Sequence, residues 1–270
     1  MEFLFSEDQE QFRENVARFL ADRSPPTEVR KLMADDQGYD PEVWSMLSNQ
    51  LGLCGIAVAE QFGGAGFGPQ ELAIACEEMG RALYCGPFMA SAVCAAYALS
   101  QTADDDHKQR WLPEIASGNL IACLAVTEHA PMWSEDDVQT VASSSPGGGH
   151  VLNGEKRFVI DAQVAGLILV AVEANARGLT RNAMPSMDPT RKLNQLILAD
   201  TPAEHLGPVD LQDLMDYTLV ALANEMIGGA QTLLQSALDY TQLRVQFGRS
   251  IASFQAIKLS LIHISEPTRR

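Results

Sequence analysis

The hydrophobic period changes twice along this sequence, and any fold has to accommodate both changes. Apolar residues recur at helical spacing to about Leu112, fall into short β-like runs from Leu120, and return to helical spacing near Leu211. Helices, then a small group of strands, then helices again describe an α+β chain that is mainly α. We expect an N-terminal helical domain over 1–119, a small middle β-domain over 120–208 and the start of an incomplete C-terminal helical bundle over 209–258. The middle part is too short for a doubly wound sheet. No low-complexity linker separates the three parts, so they should pack closely.

Local signals support the outline. Ser6 followed by Gln9 is a capping box, with Phe12, Val16, Phe19 and Leu20 at helical spacing behind it. Asp40 and Pro41 suit the N-cap and first position of a helix whose face carries Trp44, Leu47 and Leu51 up to Gly52. A run from Pro69 carries Leu72, Cys76, Met79 and Leu83, and the Ala-rich "FMASAVCAAYALS" should pack tightly after it. The stretches "LIACLAVTE", "HVLNGEKRFVI", "GLILVAVEA" and "LNQLILAD" read as strands, and "SSSPGGGHVLNGEK" as hairpin connections between them. In the last helical part Leu219, Leu222, Met226, Leu233, Ala237 and Tyr240 fall near one stripe.

Charge and composition narrow the function. Nineteen basic against thirty-five acidic residues give a net charge of −16, which repels a phosphate backbone and argues against nucleic acid as a partner. A few arginines in one pocket can still hold an anionic cofactor. The five cysteines form no C-x-x-C pair and sit among apolar residues, as reduced, buried thiols do. The N-terminus "MEFLFSEDQEQF" lacks the pattern of a signal peptide, and no run of about eighteen apolar residues suggests a membrane span, so a cytoplasmic location is expected. Gly63, Gly64, Gly66 and Gly68 lack nucleotide-loop spacing and read as a packed turn. The five histidines lack metal-ligand spacing, and no G-x-S-x-G elbow presents a serine.

Two places carry candidate chemistry. Thr127 and Glu128 end a β-like stretch and offer a hydrogen-bonding edge for a planar ring, or simply a turn. In "RVQFGRSIASFQAIK", Arg244, Phe247, Gly248, Arg249, Phe254 and Gln255 lie near a break in a helix. Two guanidinium groups and an amide there suit a diphosphate, while a solvated basic patch at a helix end fits the same residues.

Taken in order, "FSEDQEQFRENVARFL", "AEQFGGAGFG" with "EEMGRAL", "WLPEIASGNLIACLAVTE", "LNGEKRFVIDAQVAGLILV", "MDPTRKLNQLIL" and "YTQLRVQFGRSIASFQAIK" resemble the acyl-CoA dehydrogenases from residue 1 to about Lys258. The resemblance implies two helical domains around a β-domain, FAD between the β-domain and the second bundle, and an acyl-CoA thioester against the flavin. It implies α,β-dehydrogenation of the β-oxidation type: a carboxylate takes the α-proton and the β-hydrogen leaves as hydride to the flavin. Arg244 and Gln255 are then expected on the FAD diphosphate and adenosine across a subunit interface with Phe247 nearby, and Thr127 and Phe158 beside the flavin. A homo- or hetero-oligomer formed through the C-terminal bundle follows from the same resemblance.

The sequence departs from the family pattern in three places. Phe158-Val159-Ile160 stands where members carry a Trp-Ile-Thr type sequence, so Ile160 brings no hydroxyl to a flavin. The loop from Thr127 to Glu135 has lost its glycines and carries Met132 and Trp133. Thr218 occupies a position where some members place the catalytic glutamate, the commoner position lies beyond residue 270, and Glu225 is in a different register, so no base is assigned. The tail "LSLIHISEPTRR", residues 259–270, departs from the family's helical continuation and reads as a non-native extension of a truncated frame. The expectation is thus an FAD-dependent acyl-CoA dehydrogenase. The alternatives are a non-flavin subunit of a heteromeric dehydrogenase and a non-catalytic scaffold of the same fold.

Overall fold

A computed structural model describes residues 5–102, 104–129, 138–144, 149–171 and 178–265. The residues Met132, Trp133, Ser134 and Glu135 of the altered loop lie outside them.

Helix α1 (Glu7–Arg23) starts with the expected box: Ser6 Oγ accepts from the Gln9 amide and the Gln9 side chain accepts from the Ser6 amide. Two short helices follow, α2 (Pro26–Ala34) and α3 (Pro41–Asn49), the latter capped by Asp40. Trp44 anchors α3 by donating from Nε1 to the Gly118 carbonyl at 3.0 Å. The glycine-rich stretch is a packed turn, because a Cβ on Gly64 would sit 2.0 Å from the Val58 carbonyl oxygen. Helix α4 (Pro69–Ala82) buries Leu72, Cys76 and Met79, but Leu83 caps it in the left-handed conformation and is exposed, so it leaves the apolar face assigned from spacing. The Ala-rich run is a fully buried π-helical segment, Phe88–Ala95, continuing into α5 (Ala96–Gln101) and then α6 (Asp105–Ala116).

The middle part holds two sheets. Strands β1 (Ala122–Ala125) and β4 (Leu167–Val170) pair in parallel, and a four-stranded antiparallel sheet runs β2-β3-β6-β5. Its members are β2 (Val141–Ser144), β3 (His150–Ile160), β5 (Gly178–Met184) and β6 (Leu193–Ala203). Strands β2 and β3 are antiparallel neighbours, as a hairpin requires, but Asn153 and Gly154 lie inside β3 rather than in a connection. Gly154 is needed there because Thr140 lies 2.5 Å from where its Cβ would be. Lys192 Nζ donates to the Met33 carbonyl and Gln163 Nε2 to the Gln37 carbonyl, tying this part to the first helices.

The long helix α7 (Leu211–Leu243) is capped by Asp210 and packs on α4. The two meet backbone to backbone: a Cβ on Gly80 would lie 1.9 Å from the Glu225 carbonyl oxygen, and one on Gly228 1.8 Å from that of Glu77. The buried face of α7 is therefore Leu214, Ala221 and Gly228. The stripe of Leu219, Leu222, Met226, Leu233 and Tyr240 is real but exposed. A two-residue hairpin, β7 (Val245–Gln246) and β8 (Arg249–Ser250), leads to α8 (Gln255–Ser265), so helix continues past Lys258. Among the described residues no helix is long and apolar enough to cross a membrane.

Candidate functional site

Strand β1 and the C-terminal end of β3 converge on the π-helical segment and leave a cavity of about 30 Å³. Ala90 and Cys94 line it from the helix, Thr127 from just beyond the end of β1, and Phe158 and Ile160 from β3. Thr127 and Phe158, far apart in sequence, thus meet in one place. The Arg157 amide donates to the Thr127 carbonyl at 2.8 Å and locks the two segments together.

Beneath them lies a buried ion pair. Glu128 turns inward, where its carboxylate accepts from Lys156 Nζ at 2.6 Å and from the Gln139 and Thr140 amides at 2.8 Å each. Lys156 is fully buried and also donates to the Val126 carbonyl. Burial pushes the Glu128 carboxyl up, but the bonds from Lys156, Thr140 and Gln139 outweigh it and hold the group below its ordinary range. Burial pulls the Lys156 ammonium down. The pair pins the floor on which Thr127 stands, so Glu128 is a structural partner and not an edge for a ligand.

The register of β3 against β6 shifts between the inward Lys156 and Val159, and Phe158 within that bulge has φ of +56°. That conformation is costly for an aromatic residue, and it turns the half-exposed ring out at the cavity mouth. Ile160 presents only hydrocarbon. On the α7 side the Thr218 hydroxyl lies 3.6 Å from the Cys94 thiol, so the cavity flank that could have carried a carboxylate carries a threonine. Burial drives Cys94 up to about 11, which leaves it a thiol at neutral pH.

Arg244, Phe247 and Gln255 lie elsewhere, along the hairpin after α7 and at the start of the next helix. Arg244 ends α7, Phe247 and Gly248 form the hairpin turn with φ of +53° and +76°, and Gln255 begins α8. Phe247 is 92% exposed, set edge-on to Phe254 at 6.2 Å, while Arg249 lies over the Phe254 ring at 4.2 Å. Neither arginine has a carboxylate partner among the described residues. Thr218 marks the cavity and Arg244 the hairpin, and the helix rises about 39 Å between them. The two groups of predicted residues therefore do not meet within one chain.

A second buried cluster escaped the sequence reading. Arg191 pairs with Glu225 beside a cavity of about 10 Å³ also lined by Tyr84, Gly86 and Met89. Asp161 lies close by, pushed by burial up to about 6 against the pull of Arg191 and Lys192. The Tyr84 hydroxyl, Glu225 Oε2 and Asp161 Oδ2 are buried with no hydrogen-bond partner among the described residues. Glu225 is thus engaged with Arg191, away from Phe158. No short motif announces this cluster, because its members come from four separate segments.

The architecture, helices around a small β-domain with a cavity between them, is that of a flavin-dependent dehydrogenase fold. The family model of the acyl-CoA dehydrogenase N-terminal domain matches residues 6–119 and that of the C-terminal domain residues 210–267. The chain is 32% identical over 255 residues to acyl-CoA dehydrogenase IpdE2 of Mycobacterium tuberculosis, covering 93% of this chain and 69% of that protein. It is 29% identical to mitochondrial isovaleryl-CoA dehydrogenase of Solanum tuberosum, covering 94% and 68%. Among solved structures, the ChsE4-ChsE5 complex of Mycobacterium tuberculosis aligns with a TM-score of 0.85 at 25% identity, covering 97% of this chain and 74% of that one. A Tcur3481-Tcur3483 steroid acyl-CoA dehydrogenase variant aligns at 0.83 and 25%, covering 95% and 72%. This chain belongs to the acyl-CoA dehydrogenase family, whose members are FAD-dependent oxidoreductases.

Proposed function

We propose that this chain serves α,β-dehydrogenation of an acyl-CoA thioester on an FAD held between two subunits. Thr127 and Phe158 of one subunit would flank the flavin ring, and Arg244, Phe247 and Gln255 of another would hold the diphosphate and adenosine. The observation that carries this reading is the separation along α7, since one cofactor cannot span about 39 Å of helix within a single chain. The residues fit the group: a half-exposed ring stands at the cavity mouth, and Arg244 and Arg249 present guanidinium groups with no carboxylate partner among the described residues. FAD, when bound, supplies the hydride acceptor. The chain's own part is to seat it: the Glu128–Lys156 pair fixes the Thr127 edge, and the β3 bulge fixes the Phe158 ring. The exposed stripe of α7 supports assembly through the C-terminal bundle, with boundaries at 1–119, 120–208 and 209–258. Five free, buried thiols fit a cytoplasmic setting.

A second reading has its own support. Ile160 offers no hydroxyl and Thr218 no carboxylate, which favours a heteromer in which this subunit lends Arg244 and Gln255 to a partner's FAD. The test is complementation. Arg244→Ala and Phe158→Ala proteins should each bind flavin poorly, whereas co-expressed they should recover part of the yellow absorbance by pairing one intact half with another. No recovery, with flavin bound by wild type alone, rejects the two-subunit site. Flavin appearing only with a different dehydrogenase subunit selects the heteromer.

A further inference from the structure

Among the described residues, Arg157 is the one charged residue on the wall of the larger cavity; the others that line it are apolar or, like Thr127 and Cys94, neutral. The ion pair beneath the floor, Glu128 with Lys156, is neutral as a unit. An occupant of the cavity therefore meets a single cation on its wall, in a chain whose net charge is −16.

The guanidinium is pinned by a row of side chains that crosses three strands. Asn182 of β5 donates to Gln195 of β6 at 3.1 Å, and Gln195 donates to Glu155 Oε1 of β3 at 2.6 Å. The same oxygen accepts from Arg157 Nε. The bonds from Arg157 and Gln195 hold the Glu155 carboxyl below its ordinary range, so it stays ionised near neutral pH. The Arg157 amide is fixed as well, since it donates to the Thr127 carbonyl. Both Nη groups of Arg157 are left without a partner among the described residues, and the side chain is 41% exposed. Packing does not consume this residue: it is a prepositioned donor fork with nothing bound to it.

A fixed cation beside apolar walls acts on nearby charge more strongly than it would in water. The cavity is where the proposed function seats the flavin ring, and negative charge builds there when a bound flavin is reduced. Ile160 brings that ring no hydroxyl, so the side-chain donors on this wall are Thr127, the weak Cys94 thiol and Arg157. Only Arg157 adds a charge.

We propose that Arg157 stabilises the negative charge of the reduced flavin and so raises the reduction potential of the bound cofactor, with Glu155, Gln195 and Asn182 holding it for that task. The inference rests on the FAD reading above. Glu155 is both anchor and counter-charge, so it limits how much of the positive potential reaches the cavity.

The experiment is a spectroscopic redox titration of the flavin-loaded protein against a reference dye. Arg157→Gln should lower the equilibrium constant for two-electron reduction about tenfold, a shift of about 30 mV to more negative potential. Arg157→Lys keeps the charge and should restore most of that loss. Glu155→Gln keeps an acceptor for Arg157 Nε but removes the counter-charge, so its potential should move the opposite way, to more positive values. Both side chains are partly exposed, and thermal midpoints should stay close to wild type. A purely structural pair would move the Gln variants in the same direction; that result overturns the inference. So does an unchanged potential in Arg157→Gln, or an equal loss in Arg157→Lys, and in each of these cases the flavin is still bound and the FAD reading stands. Should Arg157→Gln lose its flavin, the sign of the Glu155→Gln shift decides. Wild-type protein that takes up no flavin, alone or with another dehydrogenase subunit, overturns this inference together with the reading beneath it.

Discussion

Asp161 puts an ionisable carboxyl where water scarcely reaches, in the left-handed conformation just after β3, and its Oδ2 has no hydrogen-bond partner among the described residues. Burial lifts the group from 3.8 to about 6, more than Arg191, Gln163 and Lys192 pull it down. In that window the folded state holds a proton that the unfolded chain has released, so stability falls as pH rises from about 4 to about 6 and then levels. The loss is on the order of 3 kcal/mol at most. Asp161→Asn should remove this component: urea midpoints of wild type and variant should diverge as pH rises, the variant gaining relative stability. Parallel curves would refute the assignment. Lys156 makes the opposite case, a buried charge that is paired. Lys156→Met strands the Glu128 carboxylate and should cost about 3–5 kcal/mol in equilibrium unfolding. A loss below 1 kcal/mol would mean water reaches Glu128 freely.

At the scale of elements, the crossing of α4 and α7 depends on two glycines. Gly80 and Gly228 each let the facing backbone in to a distance that no side chain permits. Gly228→Ala raises intrinsic helix propensity, yet it should destabilise by about 1–3 kcal/mol, because the new methyl drives the helices apart. A stabilised variant in thermal melts would contradict the close crossing. The same crossing explains what sequence reasoning could and could not see. Caps at Ser6 and Asp40 were legible because capping chemistry is local, and so were β3 and β6, whose apolar content marks the sheet interior. Strands β2 and β5 passed unnoticed because they are the sheet edges, short or polar as edges tend to be. The stripe on α7 was legible as a stripe, but its packed side is made of Ala221 and Gly228, which hydrophobicity ranks low. Thr127 was legible as the end of a β-like stretch and Phe158 through family resemblance, whereas the bulge that turns Phe158 outward and the union of Asp161, Arg191 and Glu225 arise only from tertiary structure.

Across the whole molecule the proposed cofactor contacts are divided between two ends of α7, and the helix between them exposes Leu219, Leu222, Met226, Leu233, Tyr240 and Leu243. A face of that extent is unusual on a monomer carrying a net charge of −16, whose self-repulsion otherwise favours separation. If that face holds subunits together, assembly and cofactor binding are one event, because joining a second chain is what brings a hairpin to a cavity. Leu233→Lys with Tyr240→Lys should then reduce the particle size seen in analytical ultracentrifugation and abolish flavin binding, although neither residue touches the cavity. The cavity floor should remain intact, shown by an unchanged cost of Lys156→Met in the double-lysine background, since sites this far apart add independently. Flavin retained by a monomeric double-lysine protein would place the whole cofactor within one chain and reject the division along α7. Loss of flavin with no change in size would instead move the assembly surface away from this helix.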